Sequence, residues 1–190
     1  MFSIRPPSPE ALSRLVREQG TAELTYPEVG ATFAAAMPAG YQHDHWEADL
    51  GGFAEGRFAR SADALRQWRP QTGAGLTVFP GQDVAVDATF ALVIRLPVGY
   101  ATAAGRIVGV IDEPAHYGFA YGTLPAHPEQ GEEAFHVERD GDRLRFRVVA
   151  FSRPRHPLAR LGTPVTRAVQ RRTIRSYLRA MRQAADLESP

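Results

Sequence analysis

The sequence predicts an α+β fold in which a curved antiparallel sheet wraps around one long C-terminal helix. Three observations predict it. Apolar residues alternate with period two from Val84 onward, short connections rich in Asp, Gly and Pro separate the segments that follow, and apolar residues near the C-terminus recur with helical spacing. A chain of 190 residues buries roughly 70% of the surface that its unfolded form exposes, which suits one main core.

The elements follow in order. Ser8-Pro9-Glu10, then Leu12, Leu15 and Val16, then Gly20, reads as a short capped helix with Pro at its first position and Gly just past its end. Residues 1–24 are read as an N-terminal helical extension, 25–185 as a single domain and 186–190 as a tail. Tyr41 to Leu50 is read as extended. Phe53, Phe58, Leu65 and Trp68 suit one or two helical turns that Pro70 stops. Val84, Val86, Ala88, Phe90, Leu92 and Ile94 then fall on one face of a long strand. Arg106 to Ile111, His116 to Tyr121, Glu132 to Arg139 and Arg143 to Phe151 supply further strands, and their short connections imply an antiparallel meander.

Asp140-Gly141 favours a two-residue type I′ turn that pairs Arg139 with Asp142. That register sets Val137 opposite Leu144 and Phe135 opposite Phe146 on one face, and Glu138 opposite Arg143 and His136 opposite Arg145 on the other. After the sheet, Thr163-Pro164 is a good helix start, and Val165, Val169, Ile174, Tyr177, Leu178 and Met181 form the apolar stripe of a long helix. This order suits a helix-grip fold.

Composition narrows the chemistry. There is no Cys and no Lys, so disulfides, thiolate catalysis, cysteine-ligated metals and lysine Schiff bases are excluded within this sequence. No nucleotide-binding glycine loop, nucleophile elbow or His-Glu-x-x-His metal motif occurs. The apolar run from Val84 to Leu96 is broken by Asp87 and ends at Pro97, too short to span a bilayer. The prolines of the first residues argue against an export signal, and the chain is read as cytoplasmic.

Ionisable residues concentrate in two loops, Tyr121 to Glu133 and Phe151 to Pro157, which the register brings to one end of the sheet with Glu129 beside Ser152 and Arg153. One reading is structural, a charged clasp in which Glu129, Glu132 and Glu133 pair with Arg147, Arg153 or Arg155. The other places His127, His156 and a carboxylate at a cavity entrance. Tyr117, Phe119 and Tyr121 share one strand face and either pack the core or line the cavity. His43 and His45 share a face as two metal ligands would, with a third available only from His127 or His156, so no metal site is assigned. Arg167, Arg171, Arg175 and Arg179 stack along the last helix. They are read as solvated, as paired with Glu47, Asp49 or Glu55, or as a grip for phosphates.

Two stretches carry a resemblance. Tyr121 to Phe135 follows the pattern YGTLPxHPExGEExF, with Ala126 where Gly is common, and Ala150 to Arg172 follows AFSRPRHPLxRLGxPxxRxxQRR. The chain resembles, from about Ala22 to Met181, a bacterial and plant family of unknown function. That family in turn looks like the START and pollen-allergen helix-grip superfamily, whose members bind lipids, hormones and polyketides in a cavity beneath the long helix. The resemblance implies a fold and a ligand class, without a catalytic residue or cofactor. The expected partner is a small apolar or amphipathic molecule, with nucleic acid and integral membrane association not expected, in a monomer or homodimer. Tyr117, Phe119, Tyr121 and Thr123 are placed on the wall, and His127, Glu129, Arg153 and His156 near the mouth. An enzyme working through His127, Glu129 and His156, and a binding module using the arginine ridge, are the alternatives.

Overall fold

A computed structural model describes residues 1–155 and the helix over 163–186, with side chains of that helix from Arg171 onward. Eight antiparallel strands form one sheet: β1 (Phe2–Ser3), β2 (Gln42–Gly52), β3 (Thr77–Phe79), β4 (Thr89–Arg95), β5 (Tyr100–Glu113), β6 (His116–Thr123), β7 (Glu129–Asp140) and β8 (Arg143–Pro154). Their order is β2-β8-β7-β6-β5-β4-β3, and β1 pairs with the start of β5. The helices are α1 (Pro9–Gly20), α2 (Glu55–Arg66), α3 (Arg69–Gly73) and α4 (Thr163–Asp186).

Alternation sorts the strands. Phe135 and Val137 of β7, Leu144 and Phe146 of β8 and Tyr117 and Phe119 of β6 all lie in the inner core, which α2, α3 and α4 cover with Leu65, Trp68, Tyr177 and Met181. The rings of Phe119, Phe135 and Phe146 stack across three strands with centroids 5.2 and 6.5 Å apart, and Trp68 meets Phe119 edge-on. Gly73 lets α3 approach α4 closely, since a Cβ there would sit 2.5 Å from that of Ala180.

Three local expectations are corrected. The helix after Phe53 runs three turns, and Pro70 does not stop it: the chain breaks at Trp68, which adopts φ 58°, and Pro70 sits in the first turn of α3, where its missing N–H costs nothing. The strand expected from Val84 begins only at Thr89, because Asp87 turns at φ 66° and Ala88 bonds back to Ala85. The last hairpin pairs Asp140 with Arg143 and Val137 with Phe146, two residues from the expected register. Its loop is Gly141-Asp142, with the positive φ (60°) at Gly141, the first loop position, where a type II′ turn takes its glycine. A shift of two preserves every residue's face.

The first 24 residues, expected as an extension, lie against the sheet: β1 joins β5, and Leu12 and Leu15 of α1 pack on Ala91 and Val93 from the outer face of β4. Residues 22–41 then form a strap over the outer face of β6, β7 and β8. Glu132 anchors it, buried and accepting hydrogen bonds from the Tyr26 hydroxyl (2.6 Å), the Gly30 N–H (2.8 Å), and the N–H and hydroxyl of Thr32 (2.9 and 2.5 Å). Thr25 bonds Thr123 through backbone and side chain, and Tyr26 and Tyr41 meet Phe151 edge-on.

Candidate ligand cavity

The inner side of the sheet is solid at one end and open at the other. Where α2 and α3 insert, the aromatic stack closes the space. Beyond them, beneath the first described turns of α4, lies a cavity of about 660 Å³. Trp46, Leu76, Leu92, Ile94, Ala103, Val148, Ala150 and Ile174 make its walls apolar. Its polar end is formed by Asp44, Tyr121, Thr123, His127, Glu129, Glu133 and Tyr177.

Strand pairing explains the polar end. Ala150 is the cross-strand partner of both Asp44 and Glu133, and Glu133 is the partner of Tyr121, so one row across four strands reads Asp44, Ala150, Glu133, Tyr121. The Tyr121 hydroxyl donates to Glu133 in a short hydrogen bond. Burial pushes the Glu133 carboxyl up to about 7, with the nearby charges of Glu129 and Asp44 adding to the shift and the Tyr121 bond opposing it. Burial and the Glu133 charge hold the Tyr121 and Tyr177 phenols well above their usual value. Burial also pushes the His127 imidazole down to about 4. Its Nδ1 lies 3.0 Å from the Glu129 backbone N and 3.1 Å from the Glu129 carbonyl oxygen, so the backbone engages that nitrogen in either tautomer.

A carboxyl whose folded value exceeds its unfolded one makes the folded state bind more protons between the two values. The stability this gives at low pH is lost as pH rises through about 7. Glu133→Gln, which cannot ionise, is therefore expected to stabilise the protein by about 2 kcal/mol near pH 8, with the difference shrinking toward zero below about pH 4.5. Urea unfolding at the two pH values checks it; equal effects at both would mean that Glu133 is solvated.

Of the residues singled out in the sequence, Tyr121, Thr123, His127 and Glu129 line the cavity. Tyr117 and Phe119 do not: Tyr117 lies under the Arg66 guanidinium (4.2 Å) and Phe119 is sealed in the aromatic stack. Arg153 points to the outer face, 4.6 Å over the Tyr41 ring and bonded to Gln130, because odd-numbered residues of β8 face away from the helix. His156 lies outside the described residues. The arginine partners expected for Glu132 and Glu133 are replaced by the strap and by Tyr121, while Arg147 pairs with Glu138 and Arg155 reaches the Pro125 carbonyl. His43 and His45 do not meet His127; they are exposed around a separate outer-face depression of about 390 Å³ that also holds His116 and His136. Glu47 and Asp49 are taken by Arg143 and Arg145, so Arg171, Arg175 and Arg179 remain exposed, with no acidic partner among the described residues. The Arg167 side chain lies outside them.

Sequence reasoning passed over Glu133, Asp44 and Tyr177 as cavity residues. A signal existed for Glu133: it shares the alternation of Phe135 and Val137, which puts a carboxyl on an apolar face.

The curved antiparallel sheet and the long C-terminal helix together define a helix-grip protein. A hypothetical protein of Helicobacter pylori superposes with a TM-score of 0.57 at 13% identity over 85% of this chain and 95% of that one. A Thermus thermophilus protein superposes with 0.55 at 11% identity over 76% and 97%. The chain belongs to the family described as "Domain of unknown function (DUF1990)", which it matches over residues 25–180. It is 33% identical to a UPF0548 protein of Deinococcus radiodurans over 97% of this chain and 99% of that protein, and 26% identical to one of Dictyostelium discoideum over 92% and 91%. Among the described residues no helix is long and apolar enough to cross a membrane, and no group of three or more metal-ligating side chains converges.

Proposed function

We propose that this chain binds a small apolar or amphipathic molecule in the cavity between the sheet and α4. The observation that carries the reading is the contrast within a single interface: the same sheet packs solidly against α2 and α3, yet leaves about 660 Å³ open beneath α4, a volume that suits a small-molecule site. Tyr121, Thr123, His127 and Glu129 would meet the polar part of the ligand. The alternative of acid–base catalysis by His127 gains little support, because a ring held neutral down to about pH 4 is a weak base and its Nδ1 is engaged by backbone.

Native mass spectrometry of freshly purified protein, with an organic extract of the same sample, tests the reading. A discrete bound mass is expected in the wild type, and Ala150→Trp, which fills the cavity floor, is expected to lose it while melting within a few degrees of the parent. A wild type with no bound mass that also fails to take up any of a panel of apolar probes overturns the reading. The exposed arginine face of α4 favours one further role, contact with an anionic surface. Its measure is retention on anionic vesicles at low salt and release at high salt.

A further inference from the structure

The cavity is apolar for most of its wall, and among the described residues its polar end carries more acidic than basic groups. Asp44 and Glu133 flank Ala150 on the two strands either side of β8, so their Cα atoms are about 10 Å apart. Ala150 puts only a methyl group between them. The field of Glu129, which has a partner of its own, also reaches both Glu133 and Tyr121. Among the described residues the only cationic side chain on the wall is Arg171, which is solvent-exposed, and His127 is neutral. A second and independent observation lies opposite, on α4. Tyr177 is only 3% exposed and lines the cavity, yet its hydroxyl has no hydrogen-bond partner among the described residues. At the cavity surface, a hydroxyl with no protein partner can accept a hydrogen bond from whatever occupies the cavity.

Building on the proposed ligand-binding role, we infer that the cavity is built for an amphipathic amine, with its ammonium group between Asp44 and Glu133 above Ala150, its N–H also reaching the Tyr177 hydroxyl oxygen, and its apolar body along Leu92, Ile94 and Ile174. An ammonium offers three donors to three oxygen acceptors. It offsets the mutual repulsion of the carboxylates, which a fatty-acid headgroup would increase and an alcohol would leave as it is. A divalent cation fits less well, because among the described residues no three ligating groups converge.

The pH behaviour follows from the groups facing Glu133, which are Asp44 from β2, Tyr121 from β6, Glu129 from β7, His127 from the connecting loop, and Tyr177 and Arg171 from α4. Glu133, buried and pushed up to about 7, changes charge in this range. The cation favours its ionised form, so binding releases a proton and strengthens as pH rises from about 6 to about 8.

The test is isothermal titration of the full chain with dodecylamine, dodecanol and dodecanoate, each below its micelle concentration, at both pH values and in two buffers of different ionisation enthalpy. Dodecylamine is expected to bind at least tenfold more tightly than dodecanol near pH 8, with proton release. Glu133→Gln and Asp44→Asn, each first shown to melt cooperatively, are expected to lose about tenfold for the amine and distinctly less for dodecanol. If dodecanol or dodecanoate binds as well as the amine, or if the amine ignores both substitutions, the amine assignment is overturned and the cavity still binds. If none of the three binds, the amine assignment is overturned, and the ligand-binding reading stands or falls by the bound mass and the wider probe panel.

Discussion

Glu132→Ala is expected to destabilise the protein by about 4 kcal/mol, a fall in Tm of about 8 to 16 °C for a domain of this size. The carboxylate is 2% exposed and accepts four hydrogen bonds from three residues of the strap. Charge-assisted bonds of this kind are the stronger sort, and truncation strands the N–H groups of Gly30 and Thr32 away from water. Tyr26→Phe removes one donor and leaves the carboxylate its other partners, so it is expected to cost only about 1.5 kcal/mol. Urea unfolding gives both numbers. A loss below about 1 kcal/mol for Glu132→Ala would show that water replaces the carboxylate and that the strap is held elsewhere.

Gly131→Ala is expected to cost about 3 kcal/mol or more. Gly131 sits at φ 149°, and a Cβ would be driven into the Phe151 carbonyl of the neighbouring strand, rigid backbone that cannot give way. The same position exchanges hydrogen bonds with the Thr123 hydroxyl through its N–H (2.9 Å) and its carbonyl (3.1 Å), and Thr123 also holds Thr25 of the strap. The strain should therefore spread to the strap, and amide exchange across residues 22–33 is expected to quicken together with the loss of stability. Unchanged exchange there would separate the glycine from the strap.

These two residues belong to one sequence motif that serves two purposes. Gly122 and Glu132 build the outer face: a Cβ on Gly122 would strike Tyr26, while Glu132 receives the strap. Tyr121, Thr123, His127, Glu129 and Glu133 look inward. In place of the arginine clasp posed for Glu132 and Glu133, the strap holds Glu132 on the outer face while Glu133 meets Tyr121 on the cavity face. Adjacent residues such as Glu132 and Glu133 separate because successive side chains of a strand point to opposite sides.

Much of the fold was legible in the sequence. The inward faces of β7 and β8, the capped α1 and the apolar stripe of α4 all follow from periodicity or from a cap, and these are local properties: each is settled by residues within a few positions of one another. The hairpin register was not settled in this way, because a shift of two keeps every side chain on its face and local patterning assigns the two pairings equal merit. Only contacts distant in sequence decided the rest. Phe119 is sealed and Tyr121, two residues on, borders the cavity because α2 and α3 end where they do; and the partners of Glu132 come from a strap some hundred residues away, by closure of the whole sheet beneath it. The sequence by itself determined which side chains face inward. Where the inward face is filled and where it stays open was decided by the packing of helices against the sheet, a long-range balance of volume that no local spacing encodes.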